Sequence, residues 1–414
     1  MAQVSPFRGI HYDPAVVSLE SVLAPPYDVI SPQLQHELYG RAMQNVVRVE
    51  LGRDFVDDLP GKRDRYSRAR DHLQAWLREG VLVQDERLSL YVHRHSFRPP
   101  GGGGPRDRLG CFVGLEPVPY ERGEVLRHEL TLTAPRADRL RLLQAARAQT
   151  SPVFLLYQDG TEVTRELERV TASARPFAEA VVEGEFGSER HQLWQVTDAT
   201  PVATITAGLS QARLFIADGH HRYETAVTLG MSRVLALVSA LDDPGNVILP
   251  THRLVPKTPR DVDQIAEYLV SQGWQAEPVP DVSEALAKLA ILKEDAHALA
   301  VVGASGKMVV SRSRAAETNV EPRQALDVRV LETEILEPIL GIAPEDAATG
   351  RVLYLRDPKE AVRLALAQRG VAFLVNPTTV AEMVEVALAG EAMPQKSTYF
   401  FPKVPAGLVI MSLE

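Results

Sequence analysis

One cysteine, Cys111, stands in a chain of 414 residues. A lone thiol forms no internal disulfide and no cysteine-based zinc site, and its strand-like setting, LGCFVGLE, predicts a buried structural thiol. Positive charge is in deficit: 45 Lys and Arg face 54 Asp and Glu, a formal net charge of -9. A general nucleic-acid coat neutralises phosphates with clustered Lys and Arg, so that class is disfavoured while a local basic pocket stays open. Long apolar runs are missing too. No stretch approaches the roughly 18 apolar residues that span a bilayer, and the opening MAQVSPFRGIHYDP lacks an apolar export core. Neither membrane insertion nor export is signalled, and a reducing cytoplasm is the expected setting. No internal repeat or long low-complexity segment is present.

What the chain has is enough apolar residue, 45% against 24% charged, to fold into two or three compact units. The helical stripe of RDRYSRARDHLQAWLRE, from Arg63 to Glu79, stops at Gly80. SLYVHRHSF and RLGCFVGLEPV read as paired strands around PPGGGGPRD. That glycine run is a hairpin loop, because a phosphate-cradling P-loop needs a following Gly-Lys-Ser/Thr on a helix. GASGK near residue 305 is read as a second hairpin turn, because its glycine-to-Gly-Lys interval is too short for a P-loop. A helix is expected from about Ala137 to Ala148, followed by the strand PVFLLY. Strands alternating with helices predict an α/β, or mixed α+β, architecture. Residues 1–255 are expected to form the main domain, 256–346 an inserted α/β subdomain, and 347–414 a segment returning to the main domain.

The chemistry concentrates in LFIADGHHRYETA. If LFIA is a central strand and a helix begins near His221, the first helical N–H groups lack intrahelical acceptors, and the helix dipole adds partial positive charge there. Asp218, Gly219, His220, His221 and Arg222 then form an anion site, with Arg222 as a two-pronged donor. His221 and Glu224 are candidates for moving a proton. Neighbouring helical positions diverge by about 100°, so the two histidines suit phosphate or substrate better than one shared zinc.

Four further clusters are candidates. RHELTLTAPRADRL offers His128, Glu129, Arg136, Asp138 and Arg139. It lacks the second histidine of a zinc-protease HExxH helix. APPYDV holds Tyr27 and Asp28 on a backbone stiffened by two prolines. LPTHRL puts Thr251, His252 and Arg253 after an apolar strand, and QKSTYFFPK offers Lys396 and Lys403 for phosphate contacts.

Together APPYDVIS, HELTLTAPRADRL, SPVFLLY, IADGHHRYETA, VILPTHRLV and MPQKSTYFFPKVPAGLVI resemble the bacterial and archaeal family known as domain of unknown function 1015. Arg136 stands where that family often carries lysine. The Asp-Gly-His-His-Arg turn resembles the phosphate-binding turn of the ParB and sulfiredoxin superfamily, which includes ParB-like free serine kinases. Histidine replaces the reactive cysteine of sulfiredoxins, so sulfinic-acid repair is not expected. The resemblance implies a ParB/sulfiredoxin-like core elaborated by extra strands and helices, with residues 218–222 on nucleotide phosphates.

The expected function is nucleotide-dependent phosphoryl transfer on a small hydroxylated or phosphorylated metabolite, serine kinase-like or phosphoserine phosphatase-like. His128, Glu129, His221 and Glu224 are the expected catalytic groups. Arg136, Arg139, Thr251, His252, Arg253 and Lys396 join the 218–222 turn in binding. Mg²⁺ on Asp28 and Glu129, with ATP or ADP, completes the expectation, and a homodimer is an admissible assembly. The alternative is a ParB-like nucleotide switch or scaffold that turns over no metabolite.

Overall fold

The computed structural model describes residues 2–131, 133–158, 161–315, 320–344, 346 and 349–413. It is mixed α/β and divides into two compact units. The first comprises Met1–Arg127, Thr131–Val247 and Phe401–Glu414. The second comprises His128–Leu130 and Ile248–Phe400. These bounds differ from the 255 and 346 expected from the sequence. His252–Val255 pairs with both Leu353–Leu355 and Val371–Val375, so one hydrogen-bonded sheet ties residues on either side of the expected insertion together.

In the first unit the main sheet runs Val125–Leu126, Leu214–Asp218, Val153–Tyr157, Val234–Ala240, Arg106–Leu115, Leu90–Phe97, Gly187–Val196 and Ala178–Gly184, with Val4–Ser5 also paired to Arg106–Leu115. A smaller sheet of the same unit orders Leu82–Gln84, Gly9–Tyr12, Ile410–Ser412 and Ala148–Gln149. The motif strand Leu214–Asp218 is therefore next to an end of the main sheet rather than central. It still reads as a continuous apolar run because both its faces are covered. Leu214 and Ile216 join a core that includes Leu155, Val163, Ile205 and Leu209.

The expected helix over 63–79 is found as Arg65–Arg78, capped by Asp64 with the reciprocal bond from Ser67. Ala69, Leu73 and Trp76 are its buried residues. The glycine run lies between antiparallel strands Leu90–Phe97 and Arg106–Leu115. In the second unit Gly303 pairs with Gly306 at the expected hairpin turn. The helix expected from Ala137 begins earlier and spans Thr133–Ala146. Cys111 is buried, and burial pushes its thiol up to about 12.

Candidate functional site

The strand Leu214–Asp218 gives way at once to the helix His220–Thr228, with Gly219 as the sole hinge. Gly219 adopts φ 92°, a left-handed conformation open mainly to glycine. A Cβ there would sit 3.0 Å from Arg222 Nε and 3.1 Å from Nη2, so the missing side chain also makes room for the guanidinium folded over the turn. The helix is anchored by Tyr223, fully buried, whose hydroxyl donates to the Val118 carbonyl at 2.8 Å and accepts from its N–H at 3.0 Å. Burying such a side chain contributes about 1.5–3 kcal/mol, which fixes the helix start against the sheet.

Arg222 Nη2 donates to Asp218 at 2.8 Å and Nη1 to the Pro152 carbonyl. Lys403 reaches the other oxygen of the same carboxylate. Burial opposes ionisation of Asp218, but Lys403 and Arg222 outweigh it and hold the carboxyl well below the usual range. Asp218 is thus a fixed negative counter-charge of the same sign as a phosphate ligand. Two cations and a helix N-terminus surround this one carboxylate, leaving the turn with excess positive charge.

Arg139 and Arg222 line one cleft, together with Glu50, Thr150, Ser151 and Thr225. Arg139 stacks 3.9 Å above the Tyr27 ring, donates to the Glu50 carbonyl at 2.9 Å and grips Asp138 at 2.5 and 3.0 Å. Glu50, 1% exposed, accepts from Thr150 at 2.5 Å and Ser151 at 2.9 Å. Burial, then the Asp28 charge, raises the Tyr27 phenol well above its ordinary value. On the helix, Glu224 accepts from Arg127 at 3.3 Å, from Arg136 at 3.5 Å and from Thr131.

The expected residues fall into two sets. Asp28, Arg136, Arg139, Asp218–Arg222 and Glu224 belong to the first unit; His128, Glu129, Thr251, His252, Arg253 and Lys396 belong to the second. Within the second, His128 Nε2 meets Thr398 Oγ1 at 2.8 Å, and Arg253 donates to the carbonyls of Thr251 and, at 3.4 Å, Lys396. Burial, then Arg253, lowers His252 to about 4, so its ring is neutral at pH 7. His252 Nδ1 accepts from the Val375 N–H at 3.3 Å.

A further constellation in the first unit escaped sequence reading. His93 and His95 lie two apart on Leu90–Phe97, Glu189 and His191 two apart on Gly187–Val196, and Arg108 sits opposite His95 on Arg106–Leu115. All five are buried. The period of two in HRH and ERH was the available signal, since alternate strand residues share a face. Ligand atoms of His95, Glu189 and His191 all lie within 4.8 Å of one another, the span of a metal site. Arg108, however, donates to His95 Nδ1 at 3.1 Å. That leaves the ring proton on Nε2, which faces Glu189 at 2.9 Å. A cation there would have to displace that proton beside a guanidinium. The nitrogen-rich set also does not suit Mg²⁺, which takes oxygen ligands.

A model of the family described as protein of unknown function (DUF1015) matches residues 4–329. The chain belongs to that family. Comparison with curated proteins returns no match. Among solved structures, a free serine kinase in complex with ADP is similar at 14% identity and a TM-score of 0.37, over 72% of this chain and 92% of that one. A conserved hypothetical protein from Pyrococcus furiosus matches at 14% identity and a TM-score of 0.35, over 72% and 95%. SbnI with a C-terminal truncation, from Staphylococcus aureus, matches at 13% identity and 0.37, over 71% and 85%. At these TM-scores the likeness carries no functional step for this DUF1015 member.

Proposed function

We propose that this protein binds the phosphate groups of a nucleotide at the 218–222 turn and transfers a phosphoryl group to or from a small hydroxylated metabolite, serine and phosphoserine being the first candidates. The observation that supports this reading most directly is the hinge at Gly219. It opens a helix N-terminus beneath the Arg222 guanidinium, with Lys403 alongside and a cleft shared with Arg139. Helix N–H groups and guanidinium nitrogens are donors suited to phosphate oxygens. Phosphoryl transfer asks mainly for positioning and charge neutralisation, which these groups would supply.

In this reading Arg222 exchanges part of its contact with Asp218 for phosphate. His221, at the second position of the helix, is the candidate for moving the hydroxyl proton. Mg²⁺ would accompany ATP or ADP and neutralise phosphate charge, with Asp28 as the carboxylate for it in the first unit. Isothermal titration with ATP, ADP and CTP, followed by radiolabelled phosphate transfer to serine, tests the reading. Absence of binding by all three nucleotides and by inorganic phosphate would overturn it.

One observation favours a second reading, a nucleotide-binding switch without turnover. Glu224, the other candidate base on the motif helix, already accepts from two arginines and Thr131. Both its oxygens are thus already engaged by donors. Saturable nucleotide binding with no consumption in the presence of serine would select this second reading.

A further inference from the structure

Arg108 is 1% exposed, among the largest fully buried side chains of the first unit, and it is only partly satisfied. Its Nη2 serves both the Pro402 carbonyl, at 2.8 Å, and His95 Nδ1, at 3.1 Å. Nε and Nη1 have no partner among the described residues. A buried guanidinium with two idle nitrogens is costly, and such a group calls for a bound water, an ion or a functional role.

Two chains of contact set it beside the 218–222 turn. Its guanidinium lies 4.7 Å from the Phe154 ring centroid, and Phe154 is the cross-strand partner of Asp218. The Pro402 carbonyl it binds adjoins Lys403, whose ammonium holds Asp218. His191 Nε2, also buried in this cluster, likewise lacks a hydrogen-bond partner among the described residues, with Glu189 Oε2 3.9 Å away.

Charge separates the candidate occupants. Arg108, although burial lowers it to about 10, remains protonated at pH 7. Burial raises Glu189 to about 8, so its carboxyl is mostly neutral there and cancels little of that charge. Asp243 is committed to the N–H groups of Leu109, at 3.0 Å, and Gly245, at 2.7 Å. Arg108, Arg222 and Lys403 thus bring three cations to a region whose opposing carboxylates are Asp218 and, acting most strongly on Arg108, Asp243. A metal ion would add charge of the wrong sign, and the His95 proton already fills the position it would need. An oxyanion supplies both the missing charge and the missing acceptors.

We propose that Arg108 is a further binding residue of the turn, presenting Nε and Nη1 to an oxygen of the anionic group held there. The proposal rests on the phosphate-binding reading given above, and assigns to the same site a guanidinium from the strand Arg106–Leu115 of the same sheet. It adds a further arginine to Arg222 and to the Arg139 of the shared cleft, which suits a multiply charged phosphate better than a carboxylate.

The wild-type protein, labelled with ¹⁵N in arginine, tests it directly. Arg108 and Arg222 each have a buried Nε without a hydrogen-bond partner among the described residues, so each should give a distinct Nε–H signal. These signals are assigned by comparison with Arg108→Lys and Arg222→Lys. Titration with inorganic phosphate and with ADP should shift both signals along one saturation curve. Movement of Arg222 alone would overturn the role of Arg108 and leave the turn as the phosphate site. Saturable binding that moves neither would place the anion elsewhere and overturn both. Should Arg108→Lys fail to fold, a crystal of the wild-type protein with ADP decides: an oxyanion oxygen within about 3.2 Å of Arg108 Nε or Nη1 supports the assignment. Water alone at those nitrogens, with ADP bound at the turn, overturns it. Where Arg108→Lys folds, it should bind phosphate about tenfold more weakly or worse.

Discussion

Replacing Gly219 with alanine tests whether the hinge serves ligand binding as well as folding. Two costs are separable. The first is conformational: alanine at φ 92° carries the penalty of left-handed backbone, about 1–2 kcal/mol. The second is positional, because the new methyl carbon lies 3.0 Å from Arg222 Nε and 3.1 Å from Cζ and Nη2. The guanidinium has to swing away, giving up its 2.8 Å bond to Asp218. Gly230, just past the end of the same helix, supplies the control. It has φ 59° and nothing within 4 Å of an added Cβ. Gly230→Ala should pay the backbone cost alone. Both variants should melt at a lower temperature than the wild type, whereas only Gly219→Ala should lose phosphate and ADP affinity, by tenfold or more in isothermal titration. Equal affinity losses in the two variants, or none in either, would refute the link between the hinge and binding.

Arg222→Ala should weaken phosphate binding by about 1.5–3 kcal/mol, read by the same titration; loss of thermal stability with unchanged affinity would confine Arg222 to clamping Asp218 and Pro152. Glu189 has a folded-state pKa of about 8, raised chiefly by burial from an ordinary value near 4.5. Its protonated form is favoured on folding, so this carboxyl costs the protein stability as pH climbs from about 4.5 to about 8, and the loss levels off above that. Glu189→Gln should therefore raise the melting temperature relative to wild type at pH 8, with the gap closing near pH 5. A gap that widens on acidification would contradict that sign. Cys111, buried with its thiol pushed up to about 12, should resist iodoacetamide at pH 8 in the native protein and react fully in denaturant.

The elements legible in the sequence were those with a local cause. Asp64 caps its helix and Gly80 ends it with φ 70°, both within reach of their own neighbours. The two glycine-rich hairpins and the strand-to-helix turn at 218–220 have equally local origins. What stayed hidden depends on pairing across long stretches of chain. That Leu214–Asp218 lies near a sheet end follows from the two-residue strand Val125–Leu126, too short to leave a pattern. The division at 248 and 400 follows from pairing between His252–Val255 and Val371–Val375, more than a hundred residues apart. Glu50 in RVELG bears no mark of its eventual partners Thr150 and Ser151.

The contacts already made by Arg222 also set how tightly the turn could hold an anion. From the sequence, Arg222 looks like a donor awaiting phosphate; in the fold it already shares Asp218 with Lys403. Any incoming phosphate would compete with that carboxylate for the same cations, so part of the attraction would be offset by repulsion from Asp218. Binding energy would then come from groups that Asp218 does not occupy: the N–H groups at the helix start, Arg222 Nε and Arg108. Asp218→Asn removes the competing charge while keeping a side chain of the same shape. It should tighten phosphate binding if the carboxylate only competes, and weaken it if Asp218 chiefly holds Arg222 and Lys403 in position. Isothermal titration of Asp218→Asn against wild type separates these roles by sign, and unchanged affinity would show that Asp218 does neither.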